Sequence, residues 1–101
     1  MITEIATILI DPAQADAFEA AVASAAPVLR AAEGSHSMAL ERVIETPGKY
    51  LLRVQWDSVE HHTVTFRESE GFKQWRALAG PFFAGTPQVE HTDTVGTFFQ
   101  D

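Results

Sequence analysis

Trp56, His62 and His36 are the residues of this sequence best suited to act on a bound molecule. An imidazole titrates near ~6.5, which fits a general base working close to neutrality, and an indole N–H can donate to a substrate oxygen. Trp56 closes an alternating run, and Asp57-Ser58 directly after it offers a helix cap. From Val59 the apolar spacing changes from two to three and four, which puts Val59, His62 and Phe66 on one stripe. His36 shares strand parity with Met38 and Leu40, so it can enter the same interior from another strand and is the alternative base. His91 has the parity of Val89 on the last strand, whereas His61 falls with Thr65 and Glu68 on the solvent side.

The expected lining of a pocket is Phe66, Phe82, Phe83, His91, Met38 and Leu40. Phe82 and Phe83 follow the Gly80-Pro81 break and can form a lid. Each of these residues also has a plain structural reading. Trp56 can be a core ring, His62 a satisfied core histidine, and His36 and His91 partly buried strand-end groups. Arg53, Arg67 and Arg76 can orient an anionic or phenolic oxygen, or pair with nearby glutamates on a solvated face.

Metal and cofactor chemistry find no motif. His61 and His62 point about 100° apart on a helix, and neither a His-Glu-x-x-His spacing nor a facial triad is present. There is no Gly-rich phosphate loop, nucleophile-elbow serine or paired-carboxylate motif. The expectation is no metal and no cofactor.

Six elements position these residues. Residues 2–10 read as a strand, with Ile2, Ala6, Ile8 and Ile10 on one side and Ile5 and Leu9 on the other. Asp11-Pro12 starts a helix carrying Phe18, Val22, Ala25 and Leu29 inward, bent near Ala23 to Pro27 and ended by Gly34. Residues 35–45 alternate as a second strand, and Thr46-Pro47-Gly48 turns into a third with Tyr50, Leu52, Val54 and Trp56 on one face. The second helical segment continues past Gly71 with Phe72, Trp75 and Leu78, and a last strand lies near 88–99. This order predicts an α+β, ferredoxin-like βαββαβ fold with a four-stranded antiparallel sheet and helices on one face. The other sheet face is left for a partner, and a homodimer packed through its sheets is expected.

Composition narrows the function classes. At 101 residues and 46% hydrophobic, the chain suits one domain spanning 1–101. Seven Lys and Arg against fourteen Asp and Glu give a net charge of −7, which disfavours nucleic acid and anionic lipid. No cysteine, no signal-peptide pattern and no apolar run long enough for a membrane span leave a cytoplasmic protein as the expectation.

The run RVQWDSVEHHTVTFRESEGFKQWRALAGPFF, followed by Val89-Glu90-His91, resembles the antibiotic biosynthesis monooxygenase (ABM) family of dimeric α/β-barrel proteins. Trp56 with Asp57-Ser58, His62, Phe66, Arg67-Glu68-Ser69 and Phe72 carry the resemblance. It implies oxidation of a quinol, anthrone or related phenol by O2 without metal or flavin, in an apolar cavity with His62 or His36 as base and Trp56 holding the substrate oxygen. The competing expectation is a non-catalytic dimeric module binding a small aromatic ligand. Haem-degrading relatives pair the strand-end Trp with a first-strand Asn and a helix His. Here no Asn occurs, and that His position falls near Thr65 or Phe66, which disfavours haem cleavage.

Overall fold

Alternation in the strands and three-four spacing in the helices place one apolar face of each element inward, and the sheet forms around that shared core. The computed structural model describes residues 1–101. β1 (Ile2–Leu9), α1 (Ala15–Arg30), β2 (Ser35–Arg42), β3 (Lys49–Trp56), α2 (Glu70–Ala79) and β4 (Gln88–Thr92) follow one another in the ferredoxin-like order. The sheet runs β2-β3-β1-β4 with every neighbour antiparallel. Ala6, Ile8, Tyr50, Leu52, Val54 and Trp56 are buried on the helix side. On the other side Ile5, Leu9 and Leu51 stand among Thr3, Thr7, Arg53 and Gln55 with no layer over them. No helix is long and apolar enough to cross a membrane.

Helix α1 runs through Pro27 without interruption. An interior proline costs about 3 kcal/mol. Burying Phe18, Val22 and Leu29 contributes roughly 1.5–3 kcal/mol each, so packing outweighs the lost bond. Asp11 caps the short 3-10 turn before α1 by accepting from the Ala13 amide at 3.0 Å. Glu19 ties α1 to the sheet, accepting from the Tyr50 hydroxyl and from Arg42 at 2.9 Å.

The second helical segment is split. A π-helical turn covers His61–Phe66, and α2 starts afresh at Glu70 with Ser69 as its cap, accepting from the Phe72 amide at 3.3 Å. Within it His62, Phe66, Trp75 and Ala79 are buried, whereas Val59 and Leu78 face outward.

Two strand predictions shift. β4 ends at Thr92 rather than near 99, and Val95, Phe98 and Phe99 beyond it are exposed. In β2 a bulge between Ser35 and Ser37 sets Ser35 opposite Trp56 and Ser37 opposite Gln55, leaving His36 as the extra residue. Met38 and Leu40 still face Val54 and Leu52 on the core side, but His36 does not share their face.

Candidate functional site

β1 sends Glu4 into the core between Val54 of β3 and His91 of β4, its opposite numbers across the sheet. Apart from the hydroxyl of Tyr50 and the indole N–H of Trp56, Glu4 and His62 are the only polar side chains among the buried residues. Trp56, fully buried at the end of β3, donates its indole N–H to Glu4 Oε1 over 3.0 Å. His62 Nε2 stands 3.3 Å from the same oxygen, and its Nδ1 shares a 2.9 Å hydrogen bond with His91 Nε2. The rings of Trp56 and His62 stack at 5.6 Å, and Phe66 packs tilted against Trp56 at 5.4 Å. The π turn thus lays two residues of one helical segment against one indole.

Burial sets the charges. It raises the Glu4 carboxyl above the usual range, with the Trp56 hydrogen bond and the Arg67 charge pulling the other way. It lowers His62 to about 4, helped by the positive charges of His91 and Arg67, so this imidazole is neutral at pH 7. With Glu4 ionised, one proton arrangement satisfies every contact: His62 carries its hydrogen on Nε2 toward Glu4, and its Nδ1 accepts from His91 Nε2.

Glu4 and His62 open onto a cavity of about 680 Å³ between the sheet and the helices. Leu29, Phe66, Phe72 and Phe83 form apolar wall, while Arg67 and Arg76 bring guanidinium groups to it. All hydrogen bonds of Glu4 fall on Oε1, and no fully buried polar side-chain atom lacks a partner, so Oε2 is the oxygen open to the cavity.

The structure brings together Trp56, His62, His91, Phe66 and Phe83. Trp56 lies one layer behind the cavity, with its N–H taken by Glu4. His91 is half-buried and reaches the site through His62. His36 sits apart on the bulge, exposed, paired with Asp57 Oδ1 at 2.5 Å and beside a separate groove along α1. Met38 and Leu40 pack against the core without lining the cavity, and Phe82 sets its edge on Phe18 at 5.9 Å. His61 bonds Ser58 Oγ through Nδ1 at 2.8 Å and covers Gly34, where a Cβ would stand 2.5 Å from the imidazole. No set of three or more His, Asp and Glu side chains is arranged to hold a metal ion.

Glu4 is the residue that sequence reasoning passes over. The signal is present: in Ile2-Glu4-Ala6-Ile8-Ile10, one carboxylate interrupts the apolar parity of a strand face that must be buried.

The family model for antibiotic biosynthesis monooxygenase matches residues 1–78. The chain is 36% identical to the uncharacterized Bacillus subtilis protein YczJ over 95 residues, 94% of this chain and 100% of that protein. It superposes on a Bordetella bronchiseptica protein provisionally named antibiotic biosynthesis monooxygenase with a TM-score of 0.91 and 48% identity, over 93% of this chain and 96% of that one. A Caulobacter crescentus protein of the same provisional name gives 0.78 and 27%, over 94% and 90%. SnoaB of Streptomyces nogalater, described as a cofactor-independent oxygenase and solved as a point variant, shares the fold with a TM-score of 0.75 at 16% identity, over 98% and 97%. With the model match spanning most of its length, the chain belongs to the antibiotic biosynthesis monooxygenase family.

Proposed function

We propose that the protein is a cofactor-independent monooxygenase that oxidises a quinol, anthrone or related phenolic aromatic with O2. The observation that carries this reading is the buried Glu4 carboxylate, one oxygen fixed by Trp56 and the other open to an aromatic-walled cavity. A phenol resists one-electron transfer to O2, whereas its phenolate is electron-rich, so the decisive step for the protein is removal of that proton. Glu4 Oε2 takes it, and burial makes this carboxyl a stronger base than an ordinary one. His62 is neutral and occupied on both ring nitrogens, which suits it to holding Glu4 rather than to meeting the substrate. The phenolate gives one electron to O2, and the two radicals combine at the ring carbon as a peroxide. The O–O bond then breaks with loss of the C–H proton, giving a new C=O and one water, with protonated Glu4 returning its proton to the departing oxygen. The description of SnoaB as a cofactor-independent oxygenase supports the same chemistry.

The working form in this proposal is a homodimer joined through the uncovered sheet face, with the exposed Val95, Phe98 and Phe99 adding apolar surface for a second copy. Oxygen uptake over a panel of quinols and anthrones, with a chelator control, tests the activity. The expected result is chelator-insensitive uptake that Glu4→Gln slows by about 10²–10⁴. Ligand binding with no uptake on any member of the panel would instead mark a non-catalytic binding module.

A further inference from the structure

Three of the seven Lys and Arg side chains of this acidic chain are committed to carboxylates. Arg42 pairs with Glu19 at 2.9 Å, Arg53 with Glu41 at 2.6 Å and Lys73 with Glu70 at 3.5 Å. Arg67 and Arg76 make no ion pair and no side-chain hydrogen bond, although acidic residues outnumber basic ones fourteen to seven. Both line the same cavity. Arg76 is exposed, and its guanidinium lies 5.8 Å from the centre of the Phe72 ring. A neutral phenol needs one base and apolar wall, which Glu4, Phe66, Phe72 and Phe83 supply. It gives no role to the two guanidinium groups, both on exposed residues, that line the cavity without a carboxylate partner.

We infer that the aromatic substrate carries a carboxylate, held at the cavity by Arg67 and Arg76 while its phenolic end lies at Glu4. This rests on the reading of the cavity as an aromatic-binding site and names the class of aromatic it takes. A guanidinium presents a planar fork of donors that a carboxylate meets with two parallel hydrogen bonds, and it is weakly hydrated enough to do so beside aromatic walls. With a net charge of −7 the chain repels anions as a whole, so an anionic substrate requires local reversal of that field at the place where it binds. Two unpaired arginines on one cavity provide it. Arg67 also bears on Glu4, pulling its carboxyl downward. A bound carboxylate neutralises that charge and leaves Glu4 the stronger base when the right substrate is in place.

The test is calorimetric titration of the full-length protein with two unreactive, product-like ligands, 1,8-dihydroxyanthraquinone and its ring carboxylate. The carboxylate is expected to bind about tenfold or more tightly, as loss of a charge-assisted hydrogen bond implies. That preference should shrink to below threefold in Arg76→Gln and Arg67→Gln, recover in part in Arg76→Lys, and fall with added salt. Equal binding of the two ligands to the unmodified protein overturns the inference and leaves the oxygenase reading standing. So does an Arg76→Gln variant that weakens both ligands alike. Binding of neither ligand overturns the inference together with the cavity reading beneath it.

Discussion

The Trp56 indole donates to Glu4 Oε1 across 3.0 Å in a region where the indole has no solvent exposure and the carboxylate almost none. This bond holds the acid in the core and leaves its second oxygen at the cavity. Replacing Trp56 with Phe removes the donor while keeping an aromatic ring. The uncompensated acceptor costs about 1–3 kcal/mol of stability, and the smaller ring adds a cavity penalty. Because the bond lowers the Glu4 carboxyl, its loss moves the titration of Glu4 further upward. Urea denaturation together with carboxyl-selective NMR titration checks both; an unmoved Glu4 would show that Trp56 merely fills space.

The Glu4–His62 pair makes stability depend on pH in opposite directions. His62 falls to about 4 in the folded protein from an ordinary value of 6.5. Between those values the unfolded chain binds more protons, so stability rises with pH and is lost as pH drops from about 6.5 toward 4. The loss from this group is at most about 3 kcal/mol. Glu4 is raised, so the folded state holds the extra proton, and its contribution declines as pH climbs above 4.5. His62→Gln is expected to flatten the acid side of the stability profile between pH 6.5 and 4 and leave the Glu4 slope in place. A variant profile parallel to that of the unmodified protein over this window would contradict the depressed imidazole.

His36 provides a control for the site, and it also shows where sequence parity stops working. Its pairing with Asp57 lowers that carboxylate and lies outside the cavity. His36→Ala should leave oxygen uptake within about threefold, whereas loss of a general base costs about 10²–10⁴. A collapse of uptake in this variant would return His36 to the chemistry.

The reason parity misplaced His36 is local. Alternation along β2 assigns Met38 and Leu40 correctly to the core face, yet one inserted residue at the Ser35–Ser37 bulge turns His36 outward, and no turn residue in the sequence announces it. The helical stripe is legible at His62 and Phe66 because both must meet Trp56, but Val59 lies outside the π turn and faces solvent. The order of elements is readable because β1, α1, β3 and α2 each bury apolar residues at the right period, whereas β4, whose Val89 is exposed, carries no such signal to mark where it ends. Glu4 is not legible in the same way, because a carboxylate on a buried strand reads as an exception to that period, and only its contacts with Trp56 and His62 give it a role.

The uncovered face of the sheet carries the last prediction. Ile5 pairs across the strands with Arg53 and Glu90 and is half-buried even with nothing above it, while Leu9 and Leu51 add apolar surface on the same side. Glutamate in place of Ile5 puts a charge at the centre of that face, within a chain already at −7, without touching the helix-side core. If two copies join through their sheets, desolvating a like charge from each copy opposes association strongly. Light scattering at micromolar concentration should then give twice the 11.1 kDa chain mass for the unmodified protein and the chain mass for Ile5→Glu, with helix content preserved in circular dichroism. A monomer before substitution defeats the dimer outright, whereas a dimer that survives Ile5→Glu places the interface elsewhere on the molecule.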